Sequence, residues 1–275
     1  TMIPFKETFE NQQAFFRKHS INTNNPGFYD DSNFLKLEQL NPAILNNYAS
    51  FVKQRKYDEN YVKMVEEKLP IICNILHEEL LKEKRQGACI DMSMALSRIL
   101  ESEKIWNYAV KGSLTITFPK GSFIRTKYFW TIDQGEFAAA HAWLVVPPFN
   151  IVDLAIKEQP YKDQEKKYLP DTILQKQTKL SEVDLEDIIE PNILLDLKKI
   201  YRNNTVRIMS HISENMTQFS HFFVPEIFEN QDTKFKYTPV GIAAPDVLLE
   251  DLTGLKLNGM YPQQIYKELI KPKLK

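Results

Sequence analysis

The sequence predicts an α+β fold, and three changes of rhythm along the chain predict it. Up to about residue 105, apolar residues recur at intervals of three and four, the spacing of one helix face. Between about 108 and 155 the interval becomes two, the spacing of one strand face. Beyond about 160 the chain turns polar and then returns to amphipathic helical segments. These changes divide the chain into a core over 1–160, with helices at its N-terminal end, and a mostly helical extension over 161–275 packed on that core.

The first 38 residues mix aromatics with Asn and Asp, and Asn22-Thr23-Asn24-Asn25-Pro26-Gly27 is a turn cluster. Asn41-Pro42 reads as an N-cap followed by a first-turn proline. Ala43, Ile44, Tyr48, Phe51 and Val52 continue that helix. A second helix starts after Tyr57-Asp58 and carries Val62, Val65, Leu69, Ile72, Ile75, Leu76 and Leu80, with Pro70 predicting a kink or a split. Cys73 falls on its apolar face and reads as a small core residue, with His77 one turn on. Gly87-Ala88 then breaks the charged run Lys82-Glu83-Lys84-Arg85. A third helix begins there, its buried stripe made of Cys89, Ser93, Leu96 and Leu100.

Alternation predicts strands over 108–118, 123–132, 137–146 and 151–155, an antiparallel meander. Its turn signals are Lys120-Gly121, Asp133-Gln134-Gly135 and Pro147-Pro148-Phe149-Asn150. Further on, Val183, Leu185, Ile188 and Ile189 mark one amphipathic segment. A longer helix is expected from Pro191 to Met216, and a last one around 262–270. Between them lies an aromatic-rich stretch with Phe219, Phe222, Phe223, Phe228 and Phe235.

Composition narrows the function. The 275 residues are 43% hydrophobic and 26% charged, ordinary values for a globular protein. Lys+Arg 35 against Asp+Glu 36 leaves a formal charge of -1, so no net field draws the chain to nucleic acid or an anionic membrane. Two cysteines make no disulfide framework, which fits a reducing compartment. No apolar run approaches a membrane span. A cytoplasmic location is expected, with export lacking a cleaved signal left open. The scattered His19, His77, His141, His211 and His221 show no metal-ligand spacing, and neither metal nor cofactor is expected.

Chemistry concentrates at Cys89, His141 and Asp153. A cysteine in a helix first turn lies among unpaired N–H groups at the positive end of the helix dipole, which favours its thiolate. His141 and Asp153 are 12 apart, an even number, so an antiparallel hairpin pairing them directly puts both on one face. That register pairs 144 with 150 and leaves 145–149 as the loop; a one-residue slip would turn Asp153 to the other face. Taken singly, the cysteine reads as core, the histidine as a half-buried strand residue and the aspartate as a strand end. In this order on helix, strand and strand they read as nucleophile, base and orienter. The reaction expected is attack of Cys89 on an amide or related acyl carbon, giving a thioester that water or an amine resolves. The Cys89 backbone N–H is one oxyanion donor.

At these residues the sequence resembles the transglutaminase-like cysteine superfamily, which shares its core with papain-type proteases and arylamine N-acetyltransferases. His141-Ala142-Trp143-Leu144-Val145 followed by Ile151-Val152-Asp153 is similar to its His-Ala-Trp strand and Val-Asp partner strand. Arg85-Gln86-Gly87-Ala88-Cys89-Ile90-Asp91 is similar to the acetyltransferase pattern Arg-Gly-Gly-x-Cys-x-Glu, with Gln86 for a glycine and Asp91 for the glutamate. The match covers about 85–156. It implies a papain/transglutaminase-like core with the nucleophile on a helix N-terminus against an antiparallel sheet. It also implies Cys89 as nucleophile, His141 as general base and acid, and Asp153 as orienter, with Gln86 the candidate for the oxyanion partner that related enzymes bring from upstream. The implied activities are peptidase or amidase, deamidase, or amine transfer on a protein, peptide or small amide. The alternatives are a non-catalytic binding module on the same fold and a coenzyme-A-dependent acyltransferase.

Overall fold

The computed structural model describes residues 4–133 and 140–274. Three helices open the chain: α1 (Phe9–Lys18), α2 (Ser32–Leu40) and α3 (Ile44–Gln54). Phe16, Phe34 and Phe51 from these helices meet Phe28 from the turn between α1 and α2 in an aromatic cluster, joined by Trp106, which follows α5 (Cys89–Ser102) in the chain. Asn41-Pro42 does not start α3. Asn41 ends α2 and its Oδ1 accepts the Ala43 N–H at 3.0 Å, so the helix begins at Ile44. α4 (Glu59–Glu83) starts where Asp58 accepts the Tyr61 N–H at 2.8 Å.

Pro70 neither ends nor splits α4. Pro70 and Glu66, whose carbonyl loses its N–H partner to the proline, both lie on the solvent side. The opposite stripe of Val65, Leu69, Ile72, Leu76 and Leu80 is buried along the whole helix and holds it together. Cys73 sits in this stripe as expected, and burial pushes its thiol pKa up.

The sheet is antiparallel, curled and eight-stranded. Its strands are β1 (Tyr108–Thr117), β2 (Lys127–Phe129), β3 (His141–Val146), β4 (Phe149–Asp153), β5 (Ile173–Gln175), β6 (Lys179–Leu180), β7 (Glu226–Asn230) and β8 (Thr233–Ala243). They run in the order β5-β4-β3-β1-β8-β7-β6. β2 pairs with the far half of the β1 edge that β3 uses, Leu114 opposite Phe129. The expected meander is therefore corrected: β3 pairs with β1, and β2 is a short side strand. The second strand shrinks because 120–122 form a tight helical turn and the exposed Phe123 takes a left-handed conformation. Of the expected strand over 137–146, residues 137–139 lie outside the described residues, as do Gln134 and Gly135 of the expected turn.

The segment after 160, expected to be mostly helical, mixes short helices with β5 to β8: α6 (Asp163–Lys166), α7 (Leu185–Ile188), α8 (Pro191–Ile200), α9 (Thr205–Ile212), α10 (Met216–Phe222) and α11 (Pro262–Ile265). It is not an extension laid on a finished core. β8 lies beside β1 in the middle of the sheet and pairs with it along nearly the whole strand. The β7–β8 hairpin turns on Gln231 and Asp232, both with positive φ, a geometry usually signalled by Asn-Gly. The single helix expected from Pro191 to Met216 is broken by left-handed Arg202 and Asn203, after which Asn204 caps α9.

Alternation sorts the core onto two faces. Tyr108, Val110, Trp143, Ile151 and Tyr237 belong to one apolar cluster with the N-terminal aromatics. Ala109, Leu144, Val146 and Val152 belong to another with α4 and α5. Gly112 lies opposite His141, and a Cβ there would meet the Thr238 carbonyl oxygen of β8 at 2.1 Å. Only glycine permits that approach.

Candidate active site

Cys89 is the first residue of α5, and Ala88 ahead of it offers no side-chain cap. The first-turn N–H groups are thus left without a capping acceptor beside the thiol. Gly87 sets the turn with φ 69°, and a Cβ there would touch nothing, so backbone conformation is what calls for glycine. Its N–H donates to the Glu158 carbonyl at 2.8 Å, tying the turn to the chain that follows β4. Arg85 and Asp91 pair across it. Cys89 is 5% exposed and unpaired with Cys73.

His141 opens β3 and Asp153 closes β4; both are buried. The His141 Nε2 to Asp153 Oδ2 distance is 2.5 Å. The register that produces it differs from the direct pairing expected. Leu144 lies opposite Val152 rather than 150, because the turn is only Pro147-Pro148, joined by a cis bond, and the ladder is irregular between Leu144 and Val146. The shift is two residues, so both side chains keep the same face and meet diagonally, within reach of long side chains.

Asp153 has two further donors. Its Oδ1 accepts the Ala155 N–H at 2.9 Å and its Oδ2 accepts the Tyr237 hydroxyl at 2.8 Å. Tyr237 comes from β8 and packs against both His141 and Trp143. The other imidazole nitrogen, Nδ1, is buried with no hydrogen-bond partner among the described residues. It is the nitrogen left for Cys89, whose thiol is near enough to raise the ring's proton affinity. Burial alone pulls the His141 pKa down, but the Asp153 charge and hydrogen bond, with a further push from Cys89, raise it to about 10.

Gln86, the sequence's oxyanion candidate, is exposed and makes no hydrogen bond to Cys89 or His141 among the described residues. Two residues the sequence did not single out stand at the site. One is Tyr237. The signal that could have found it is the alternation of Thr233, Phe235 and Tyr237 with Lys234 and Lys236, a strand with one buried face. The other is Tyr161, whose hydroxyl is buried and has no partner among the described residues. Its ring meets Phe129 edge-on at 5.5 Å. His77 is buried on α4 with its Nε2 unpartnered, and burial lowers its pKa.

No cluster of three His, Cys, Asp or Glu side chains fit to hold a metal occurs among the described residues, and none of their helices is long and apolar enough to cross a membrane. Comparison with protein-family models, with curated proteins and with solved structures finds no match.

Proposed function

We propose that the chain is a cysteine-nucleophile enzyme that acts on an amide or related acyl carbon through a thioester on Cys89. The observation that carries the reading is the buried His141 imidazole, held at 2.5 Å by Asp153 through one nitrogen while the other is left for Cys89. The resemblance of 85–156 to the transglutaminase-like superfamily supports the same assignment.

In this reaction His141 already holds the thiol proton on Nδ1 at neutral pH, as its raised pKa requires, and Asp153 steadies that imidazolium through Nε2–H, so Cys89 attacks as the thiolate. The Cys89 sulfur bonds to the acyl carbon, and the carbonyl π pair moves onto oxygen. When that pair returns, the bond to the leaving amine breaks and the amine takes the proton from His141. Water or a second amine then attacks the thioester, gives its proton to His141 and frees the thiol. The first acceptor makes the protein a peptidase, amidase or deamidase; the second makes it a transferase. The complete burial of His141 favours a second reading, a binding module that keeps the fold without turnover.

Alkylation decides between them. Iodoacetamide at pH 7 should label Cys89 and spare Cys73, located by peptide mass spectrometry. His141→Ala should slow labelling about 100-fold or more, the usual contribution of a positioned general base. Equal labelling of the variant would refute the enzyme reading.

A further inference from the structure

The short segment after Asp153 ties the site together. The Asp153 carboxylate accepts the Ala155 N–H, the Glu158 N–H donates to the Ala155 carbonyl at 3.1 Å, and the Glu158 carbonyl accepts the Gly87 N–H that sets the turn before Cys89. Gln159 Nε2 donates to the Ala155 carbonyl at 2.9 Å, and the Tyr161 N–H donates to the Gln159 carbonyl at 2.8 Å. One run of chain therefore fixes the orienting carboxylate, the nucleophile's turn and the Tyr161 phenol relative to one another.

Tyr161 ends this run with its ring against Phe129, and the Phe129 ring lies 6.3 Å from that of His141. Its hydroxyl is buried and unpartnered among the described residues. A buried hydroxyl without a partner opposes folding, and such groups in folded proteins call for an explanation. Here two orphaned polar atoms, Tyr161 Oη and His141 Nδ1, belong to one site. Burial first, then electrostatic interaction with Asp153, Glu165 and Cys89, keeps the proton on the phenol. Tyr161 is therefore a hydrogen-bond donor in search of an acceptor. The acceptor the chemistry supplies is transient.

We propose, resting on the cysteine-nucleophile reading, that the Tyr161 hydroxyl donates to the oxyanion formed when Cys89 attacks an acyl carbon, with the uncapped Cys89 backbone N–H as second donor. The orphan is then an unpaired group only in the resting protein, and it stabilises charge that appears in the transition state.

Two reagents separate this role from any other, because only one of them passes through an oxyanion. Iodoacetamide alkylates Cys89 by displacement at a saturated carbon and releases iodide. With p-nitrophenyl acetate the sulfur bonds to the carbonyl carbon, an oxyanion forms and collapses, and p-nitrophenolate leaves as the acetyl thioester is made. Tyr161→Phe should alkylate at the wild-type rate and acylate about 100-fold or more slowly, the usual effect of losing one oxyanion donor. Its melting temperature should be unchanged or higher. Equal acylation of wild type and variant overturns this inference and leaves the nucleophile standing. Loss of both reactions by the same factor, or failure of the variant to fold, means the hydroxyl has a structural role and also overturns it. Wild-type protein that resists iodoacetamide overturns the nucleophile reading, and this inference with it.

Discussion

Replacing Asp153 by Asn keeps its size and removes the charge that holds the His141 proton. The consequence for stability is calculable in sign and order of magnitude. The imidazole pKa, about 10 in the folded protein, lies above the unfolded value of about 6.5. The folded state therefore binds the proton more tightly. Its contribution is complete below about pH 6.5 and is lost as pH rises through about 10, at roughly 1.4 kcal/mol per pH unit in between. Over that window the loss is a few kcal/mol, a large part of the usual 5–15 kcal/mol for a domain. With Asn at 153, burial is the main influence left on His141, and burial lowers its pKa. The falling slope should then disappear from the variant.

The measurement is urea unfolding followed by tryptophan fluorescence from pH 6 to 9.5. Both proteins carry Cys89→Ala, which removes the thiol and its smaller push on the ring. Cys73 and Tyr108, whose pKa values burial raises, contribute the same slope to both and cancel in the difference, while Tyr161 and Tyr237, which Asp153 also raises, are held up first by burial in both proteins. The Asp153 protein should be more stable at pH 6.5, and its advantage should shrink steadily toward pH 9.5. An advantage that stays constant across this range would show that His141 is not proton-paired with Asp153.

Two further substitutions test how the sheet supports the site. Tyr237→Phe deletes the 2.8 Å hydrogen bond to the buried Asp153 carboxylate and should lower the unfolding free energy by about 1.5–3 kcal/mol at pH 7, read from urea midpoints; no change would mean that Asp153 does not use this donor. Gly112→Ala drives a Cβ to 2.1 Å from the Thr238 carbonyl oxygen and forces β1 and β8 apart, so a loss of about 3 kcal/mol or more is expected. An unchanged midpoint would contradict the β1–β8 pairing at that point.

What the sequence made legible is what local spacing controls. Gly87-Ala88 marks the start of α5, and the three-and-four spacing after Cys89 names the buried face of that helix. The alternation of β1 is read correctly to within one residue. The facing of His141 and Asp153 survived an error in register because the error was even, and parity decides the face whereas register decides only the distance along it. What stayed hidden depends on contacts far apart in sequence. Tyr237 reaches Asp153 across 84 residues, through a hairpin whose turn residues, Gln231 and Asp232, give no ordinary turn signal. The short β2 was misjudged for the opposite reason. Its local alternation is good, but the left-handed Phe123 and the claim of β3 on half of the β1 edge leave room for only three paired residues.

The placement of β8 changes how the two parts of the chain relate. A division at 160 puts the whole Cys-His-Asp constellation in the first part, yet the environment that orders it comes from both. β8 occupies the edge of β1 opposite β3, so the strand that carries Gly112 against His141 is held from the other side by residues 234–243. The same strand sends Tyr237 back to the Asp153 carboxylate, one of its three hydrogen-bond partners in a site where each buried lone pair left empty is costly. Cys89, His141 and Asp153 can be named from one continuous stretch of about a quarter of the sequence. Their support cannot, because the Tyr237 hydroxyl on the Asp153 carboxylate and the strand that backs Gly112 come from the stretch the sequence set apart.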